Sequence, residues 1–221
     1  MHSDAEVIVL QKRLKAIGLY KGAIDGDFGP ATLAASLEGL KDHQAIPQPE
    51  IQKPFFDYQV VRDKFGKLVQ SQVNGFETII HKWQESKLED LRWLAYMLAT
   101  TWHETSRTMQ PITEYGSQTY LRSKKYWPYI GRGYVQLTWK RNYEKYGIAD
   151  HPEKALEPDL AAHIMIDGMT KGIFTGKKLG DYFNAKVSDA VGARRIINGT
   201  DKDKLIAGYY NVFLDALKGQ A

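Results

Sequence analysis

Apolar side chains near the start of the chain recur at intervals of three and four residues. They are Val7, Leu10, Leu14 and Ile17. This spacing puts them on one face of an amphipathic helix. Gly18 suits the end of that helix, and Pro30 suits the first turn of the next, because a missing N–H costs nothing there. The pattern predicts a small helical unit over residues 1–45.

Prolines interrupt the pattern after this unit. Pro47, Pro49 and Pro54 lie in HQAIPQPEIQKP, and they disfavour a continuous helix. We therefore predict a linker over residues 46–54 and a second domain over residues 55–221.

Helical spacing returns in the larger part of the chain. QVNGFETIIHKWQ predicts a helix with Ser71 as its N-cap, and DLRWLAYMLATTWHE predicts one that is capped by Asp90 and buried on most sides. Further helices are predicted near WKRNYEKY, PDLAAHIMIDGMTKG, KLGDYFN and DKDKLIAGYYNVFLDALK. Aromatic residues among glycines in GSQTYLRSKKYWPYIGRGYVQL favour short strands and loops. The expected fold class is mainly α with a small β and loop region.

Composition narrows the function classes. There are no cysteines, so disulfides, thiolate metal sites and cysteine nucleophiles are excluded. Residues 1–45 carry 5 basic and 6 acidic side chains, and the remainder carries 25 and 20, so the net charge of +4 belongs to the larger part. A modest positive field attracts any polyanion, whether nucleic acid, an anionic lipid surface or a bacterial wall polymer. The N-terminal apolar run, Val7 to Leu10, is too short for a signal peptide or a membrane span.

Two glutamates lie close together in the sequence but in contrasting surroundings. Glu104 ends the predicted buried helix, where contact with apolar surface favours a protonated carboxyl. Glu114 follows Pro111 in a segment that is unlikely to be helical, which favours a solvated, ionised carboxylate. Such a pair suits general acid and general base catalysis of glycoside cleavage.

Other motifs in the chain are incomplete. His103-Glu104 begins a zinc-protease pattern, but Arg107 stands where the second histidine belongs. DGDFG resembles the start of a calcium loop, but its twelfth position is Ser36. GRGYVQ has Gln136 in place of the third glycine of a dinucleotide fingerprint. We predict no metal and no cofactor.

Two families resemble parts of this sequence. LQKRLKAIGLYKGAIDGDFGPATLAA, within residues 5–40, resembles the peptidoglycan-binding domain of bacterial and phage wall hydrolases. WHET, ITEYG, GRGYVQLTWKRNY and RRIINGT resemble, in this order, the catalytic domain of family 19 glycoside hydrolases in its lysozyme-like branch, over roughly residues 55 to 218. The first resemblance implies a three-helix module. The second implies a lysozyme-like domain with a groove for an N-acetylated sugar polymer.

The second resemblance implies roles for individual residues. Glu104 would be the general acid, Glu114 the base that activates water for inversion, and Thr138 the hydroxyl that holds this water. The two carboxyls would then lie about 6.5 to 9.5 Å apart. The implied substrate-binding residues are His103, Tyr115, Gln136, Asn142, Arg195 and Asn198. Arg195 would orient a catalytic carboxylate or bind the polymer. Thr138 also suits the N-cap of the following helix, and Asn198-Gly199 also suits a turn.

These observations predict a monomeric endolysin that cleaves the β-1,4 bonds of bacterial peptidoglycan as a muramidase. We expect synthesis in the host bacterial cytoplasm without a signal peptide, and action in the periplasm after the membrane is opened, with no stable membrane insertion. Phage, prophage and bacterial origins are all compatible with the sequence. A chitinase is the alternative within the same enzyme class, and a noncatalytic wall-binding protein is the alternative outside it. Nucleic-acid binding has no motif to support it.

Overall fold

The computed structural model describes residues 4–16, 18–41 and 55–218. Contacts divide the chain into two compact units, Met1–Pro54 and Phe55–Ala221. The predicted linker and Ile17 lie outside the described residues.

The first unit contains α1 (Asp4–Ala16) and α2 (Pro30–Lys41), as the sequence predicts. Gly18 follows α1 with a left-handed φ of 79°, and its N–H donates to the Lys15 carbonyl at 3.1 Å. Leu14, Tyr20 and Ala35 form a small core, against which Leu10 and Leu19 pack.

Leu33 on α2 is 46% exposed, because it lies on the face of the helix away from Ala35. The third helix is not found between residues 18 and 29, which form turns, and residues 42–54 lie outside the described part.

The second unit is built mainly from helices. They are α3 (Tyr58–Phe65), α4 (Gln70–Glu85), α5 (Leu91–Glu104), α6 (Gln118–Arg122), α7 (Lys140–Lys145), α8 (Pro158–Lys171), α9 (Leu179–Tyr182) and α10 (Asp203–Lys218). Two 3-10 helices span Pro152–Leu156 and Gly192–Ile196. Strands β1 (Ile112–Thr113) and β2 (Arg132–Gly133) pair antiparallel, with Ile112 opposite Gly133. The predicted fold class, mainly α with a small β region, is confirmed.

Helix α5 is the centre of the core. Its residues from Leu94 to Trp102 are all buried, and it packs along α10. Aromatic rings fill the space between α3, α4, α5 and α10: Phe65 stacks on Trp102 at 5.1 Å, and Phe76 lies 5.5 Å from Phe213. Burying such rings is a large hydrophobic contribution, and it fixes the end of α5 in place.

The first residues of α5 and α4 can be compared with the predicted N-caps. Asp90 caps α5, since its carboxylate accepts the Arg92 N–H at 3.0 Å, as predicted. The prediction of Ser71 as the N-cap of α4 is wrong. The cap is Val69, whose N–H donates to the side-chain oxygen of Gln72 at 2.8 Å, so a residue inside the first turn reaches back. None of the helices in the described part of the chain is both long and apolar enough to span a bilayer.

Candidate active site

The end of α5 opens into a cleft of about 430 Å³. Glu104, the last residue of α5, forms part of its wall. The rest of the wall comes from four other segments: Tyr126, residues 135–139 with the start of α7, the loop after α8, and the residues after the second 3-10 helix. The lining residues from these segments are Tyr126, Val135, Gln136, Leu137, Thr138, Trp139, Arg141, Asn142, Phe174, Thr175, Ile197 and Asn198.

Glu104 is held by a buried arginine. Arg194 Nη1 lies 2.5 Å from Glu104 Oε1, and the two side chains are only 3% and 16% exposed. The same guanidinium donates through Nε to the Asp201 carbonyl at 2.9 Å. Because two contacts fix the guanidinium, Glu104 is presented to the cleft in one orientation, and its charge is compensated.

Glu114 lies directly after β1 and is fixed by three hydrogen bonds. Its N–H donates to the Gly131 carbonyl at 2.7 Å, and its Oε2 accepts the Gly131 N–H at 3.0 Å. Its Oε1 accepts the Tyr126 hydroxyl at 3.0 Å. Tyr126 lines the cleft and Glu114 does not, so this carboxylate is linked to the cleft through the phenol. Burial, together with Glu114, raises the pKa of Tyr126 to about 12, which keeps the phenol a donor.

Gly131 allows Glu114 and Gln136 to approach each other. A Cβ at Gly131 would lie 2.7 Å from Gln136 Oε1 and 3.3 Å from the Glu114 Cβ. Gln136 is itself fixed, because its Nε2 donates to the Ile112 and Gly133 carbonyls at 3.1 and 3.3 Å. The hairpin of β1 and β2 therefore places a carboxylate and an amide side by side.

Thr138 and Asn142 lie together on the cleft wall. The Asn142 Nδ2 donates to the Thr138 carbonyl at 2.9 Å. Asn142 is 5% exposed, and among the described residues its Oδ1 has no hydrogen-bond partner. A buried, unpaired acceptor in a cleft wall is suited to a ligand donor. The alternative role of Thr138 as an N-cap is wrong, because the N-cap of α7 is Trp139.

Asn198 takes part in a local turn and also lies in the cleft wall. Its Oδ1 accepts the N–H of Gly199 at 2.9 Å, as in a local turn, and the residue also lines the cleft.

Three of the predicted substrate-binding residues are not in the cleft wall. His103 precedes Glu104 and is half-buried, and burial lowers its pKa from the ordinary value of 6.5. Tyr115 is 63% exposed. Arg195 is exposed as well, and its nearest described acceptor is the Gly192 carbonyl at 3.5 Å. The arginine that orients a carboxylate is Arg194 and not Arg195, since the 3-10 helix turns Arg194 inward.

A single glutamine organises the loop of the first unit. Gln11 is fully buried, and its Oε1 accepts the N–H groups of Asp25 and Gly26 at 3.1 and 3.0 Å. Its Nε2 donates to Asp25 Oδ1 at 2.8 Å and to the Asp27 carbonyl at 2.9 Å. The hydrogen bond from Gln11 lowers the pKa of Asp25. The loop thus closes around an amide of α1.

Residues 3–35 match the family model of the peptidoglycan binding domain. The chain therefore carries a peptidoglycan-binding module, which associates proteins with the bacterial cell wall, and this part of the resemblance is confirmed. Comparison with curated proteins and with solved structures gave no match. Among the described residues of the first unit, four apolar side chains besides Leu33 are 38–49% exposed: Val9, Ile24, Phe28 and Leu37.

The described residues contain no group of three or more His, Asp or Glu side chains arranged to hold a metal ion. Arg107, which interrupts the zinc-protease pattern, lies beyond the end of α5 in a left-handed conformation, with φ 68°. The side chains that meet in the cleft are instead carboxylate, amide, hydroxyl and aromatic groups, a set suited to acid-base chemistry on a polar ligand.

Proposed function

We propose that this chain hydrolyses the β-1,4 glycosidic bonds of bacterial peptidoglycan, as a muramidase-type endolysin. One observation carries the proposal: Glu104, paired with the buried Arg194, lies in a cleft lined by amide and hydroxyl side chains. The peptidoglycan-binding module supports the choice of substrate. The proposed setting is release from the cytoplasm of a bacterial host to the wall once the membrane has been opened.

In this proposal Glu104 takes up a proton before each turnover and donates it to the leaving glycosidic oxygen. Arg194 contacts Oε1, and among the described residues no group hydrogen-bonds to Oε2, which leaves that oxygen for the substrate. When the proton has moved to the leaving group, Glu104 becomes a full carboxylate. Arg194 then stabilises this product of the acid step, because its own charge is already in position.

Glu114 acts as the base for the attacking water through the Tyr126 hydroxyl, which gives its proton to Glu114 as it takes one from the water in the cleft. The Tyr126 hydroxyl and the Gly131 N–H hold its two oxygens in place. Thr138 supports the water through its hydroxyl, to which no described residue hydrogen-bonds. Attack from the face opposite the leaving group gives inversion at the anomeric carbon.

The amides of the cleft wall bind the sugar chain. The unpaired Asn142 Oδ1 accepts an N–H or O–H from an acetamido sugar, and Gln136 and Asn198 supply further polar contacts. We place His103, Tyr115 and Arg195 at the margin, where they contact a longer polymer.

The test is lysis of purified peptidoglycan sacculi by Glu104→Gln and Glu114→Gln variants. Loss of a general acid or base lowers turnover about 10²- to 10⁴-fold, while both variants should still sediment with sacculi. Exposed Glu89 supplies the matched control Glu89→Gln, which should behave as wild type. A Glu104→Gln variant that lyses sacculi at the wild-type rate would exclude the acid role, and lysis by no form of the protein would favour a noncatalytic wall-binding protein.

Mass spectrometry of the released fragments tests the bond that is cut. Muramic acid at the new reducing end is expected, and glucosamine there would exclude a muramidase. Proton NMR of the fresh product should show the anomer opposite to that of the substrate. Cleavage of colloidal chitin, with sacculi left intact, would favour the chitinase alternative.

A further inference from the structure

A second concavity adjoins the cleft. It has a volume of about 360 Å³ and is lined by Trp139, Lys140 and Arg141. Trp139 and Arg141 also line the cleft, so the two spaces share a wall. We call the second space the Trp139 pocket. The Trp139 pocket therefore lies next to the cleft that contains Glu104.

Trp139 is held in an unusual position. Its φ is 72°, a left-handed value that is strained for a residue with a bulky side chain. The Trp139 N–H donates to the Tyr129 carbonyl at 3.1 Å, and the indole meets the Tyr126 ring edge-on at 5.5 Å. The side chain nevertheless remains 44% exposed. A fixed, exposed indole provides a flat apolar surface for a ligand.

Two cations flank this indole. Arg141 is exposed, and no described residue forms a hydrogen bond or ion pair with it. Lys140 Nζ lies 3.6 Å from Glu144 Oε1, but both side chains are more than half exposed, so this pair is weak. Most of the pocket surface is apolar, as the indole and the methylene stems of arginine and lysine provide. The pocket thus combines apolar contact with an unpaired positive charge.

We propose that the Trp139 pocket binds the carboxylate-bearing substituent of a muramic acid residue, next to the bond that is cut. This inference rests on the proposed function. Arginine suits a carboxylate because its guanidinium donates two parallel hydrogen bonds, and the indole covers the apolar part of the substituent. A neutral chitin chain offers Arg141 no such partner. Arg141 therefore selects peptidoglycan over chitin, and Trp139 adds affinity for both.

The test measures binding to the Glu104→Gln protein, in which the substrate stays intact, so turnover does not enter the result. The probes are a soluble peptidoglycan oligomer that carries its peptides, the same glycan after an amidase has removed the peptides, and neutral N-acetylglucosamine tetramer. The measured quantity is the affinity for the peptide-bearing oligomer divided by the affinity for the neutral tetramer. Arg141→Gln should lower this ratio about tenfold, which corresponds to the loss of one charge-assisted hydrogen bond. Arg141→Lys should lower it less.

The second probe identifies the source of the carboxylate. The amidase frees the lactyl carboxyl, which is an amide in the peptide-bearing oligomer. An effect of Arg141→Gln on the peptide-bearing oligomer therefore assigns the carboxylate to the peptide, and an effect that is confined to the glycan without peptides assigns it to the lactyl group. The control is Arg62→Gln, since Arg62 lies on α3 over the Tyr58 ring and is not part of the cleft wall. This control should leave the ratio unchanged.

Failure of this inference is distinguishable from failure of the proposed function. An affinity ratio that Arg141→Gln leaves unchanged, with and without the peptides, overturns the role of the Trp139 pocket, even when Glu104→Gln has lost all lysis. Full lysis by Glu104→Gln overturns the proposed function, whatever the ratio shows.

Discussion

Arg194 is a buried cation whose side-chain partner is the carboxylate of Glu104. Replacing it with methionine leaves that carboxylate mostly buried without a countercharge. We expect Arg194→Met to lower the free energy of unfolding by about 3 kcal/mol. Because the cost arises from the unpaired charge, Glu104→Gln combined with Arg194→Met should be less destabilised than the sum of the two single variants.

Urea unfolding of the four proteins in this double-mutant cycle measures the coupling. We expect a coupling energy of at least about 1 kcal/mol, above the deviation of about 0.5 kcal/mol seen for independent sites. Additive single effects would mean that the ion pair does not contribute to stability. Arg194→Lys retains the charge but loses the planar donor set, so it should fall between wild type and Arg194→Met.

His103 links stability to pH. Burial lowers its pKa in the folded protein, so at mildly acidic pH the unfolded chain binds a proton that the folded protein does not. The stabilisation is therefore complete above the unfolded pKa of about 6.5 and decreases as the pH falls below it. We expect His103→Gln to flatten the pH dependence of the unfolding free energy below pH 6.5.

Chemical denaturation at a series of pH values measures this slope. His81, whose side chain is 73% exposed, supplies the control His81→Gln, which should keep the wild-type slope. An unchanged slope in His103→Gln would assign the acid sensitivity to other groups.

Helix α4 meets the loop after α5 at a glycine. A Cβ at Gly75 would lie 1.8 Å from the Met109 carbonyl oxygen, and a backbone atom cannot move aside cheaply. We expect Gly75→Ala to lower the free energy of unfolding by more than about 2 kcal/mol. The displaced loop joins Glu104 to β1, so lysis should decrease as well.

Gly208 in α10, unlike Gly75, has room for a side chain. No atom lies within 4 Å of a Cβ placed there, so Gly208→Ala should raise the free energy of unfolding by about 0.5–1 kcal/mol through helix propensity alone. Thermal unfolding of Gly75→Ala and Gly208→Ala measures both changes in stability. Equal effects would show that the contact with Met109 does not determine the outcome.

The long helices were predictable because their apolar faces repeat along the sequence. This holds for α4, α5, α8 and α10, which bury such faces against one another. The short helices were predictable only in part. The segments of α7 and α9 were predicted to be helical, but α3, α6 and the 3-10 helices were not, because helices this short depend on tertiary contacts more than on their own pattern. The cap of α4 was misassigned since any polar residue near a helix start fits the same pattern.

The candidate site was predictable only in part for a similar reason. Glu104 ends a recognisably buried helix, and the resemblance led to Gln136, Thr138, Asn142 and Asn198. Arg194 was missed because it pairs with a residue 90 positions away, and nothing local separates it from its exposed neighbour. Tyr126 and Trp139 carried no signal beyond their residue type.

Considered as a whole, the chain combines two units with separate cores. The core of the peptidoglycan-binding module lies within residues 10–35, and the cores of the second unit lie within residues 55–217. We expect residues 55–221 alone to fold and to hydrolyse soluble peptidoglycan oligomers at the rate of the full chain. Activity on intact sacculi should fall by at least about 10²-fold at low protein concentration, because the tether no longer raises the local concentration.

The test compares the hydrolysis rates of the full chain and of residues 55–221 on soluble oligomers and on intact sacculi. Equal losses on both would show that the first unit stabilises the second. Equal rates on sacculi would show that the module does not contribute to recruitment.

The buried Gln11 has a consequence for how the loop of residues 24–28 can vary. Its amide contacts the main chain of Asp25, Gly26 and Asp27, so the path of the loop depends mostly on groups that every sequence supplies. An outward side chain such as Ile24 can then be exchanged with little effect on that path. One interior amide thereby leaves the outer surface of the loop open to changes of sequence.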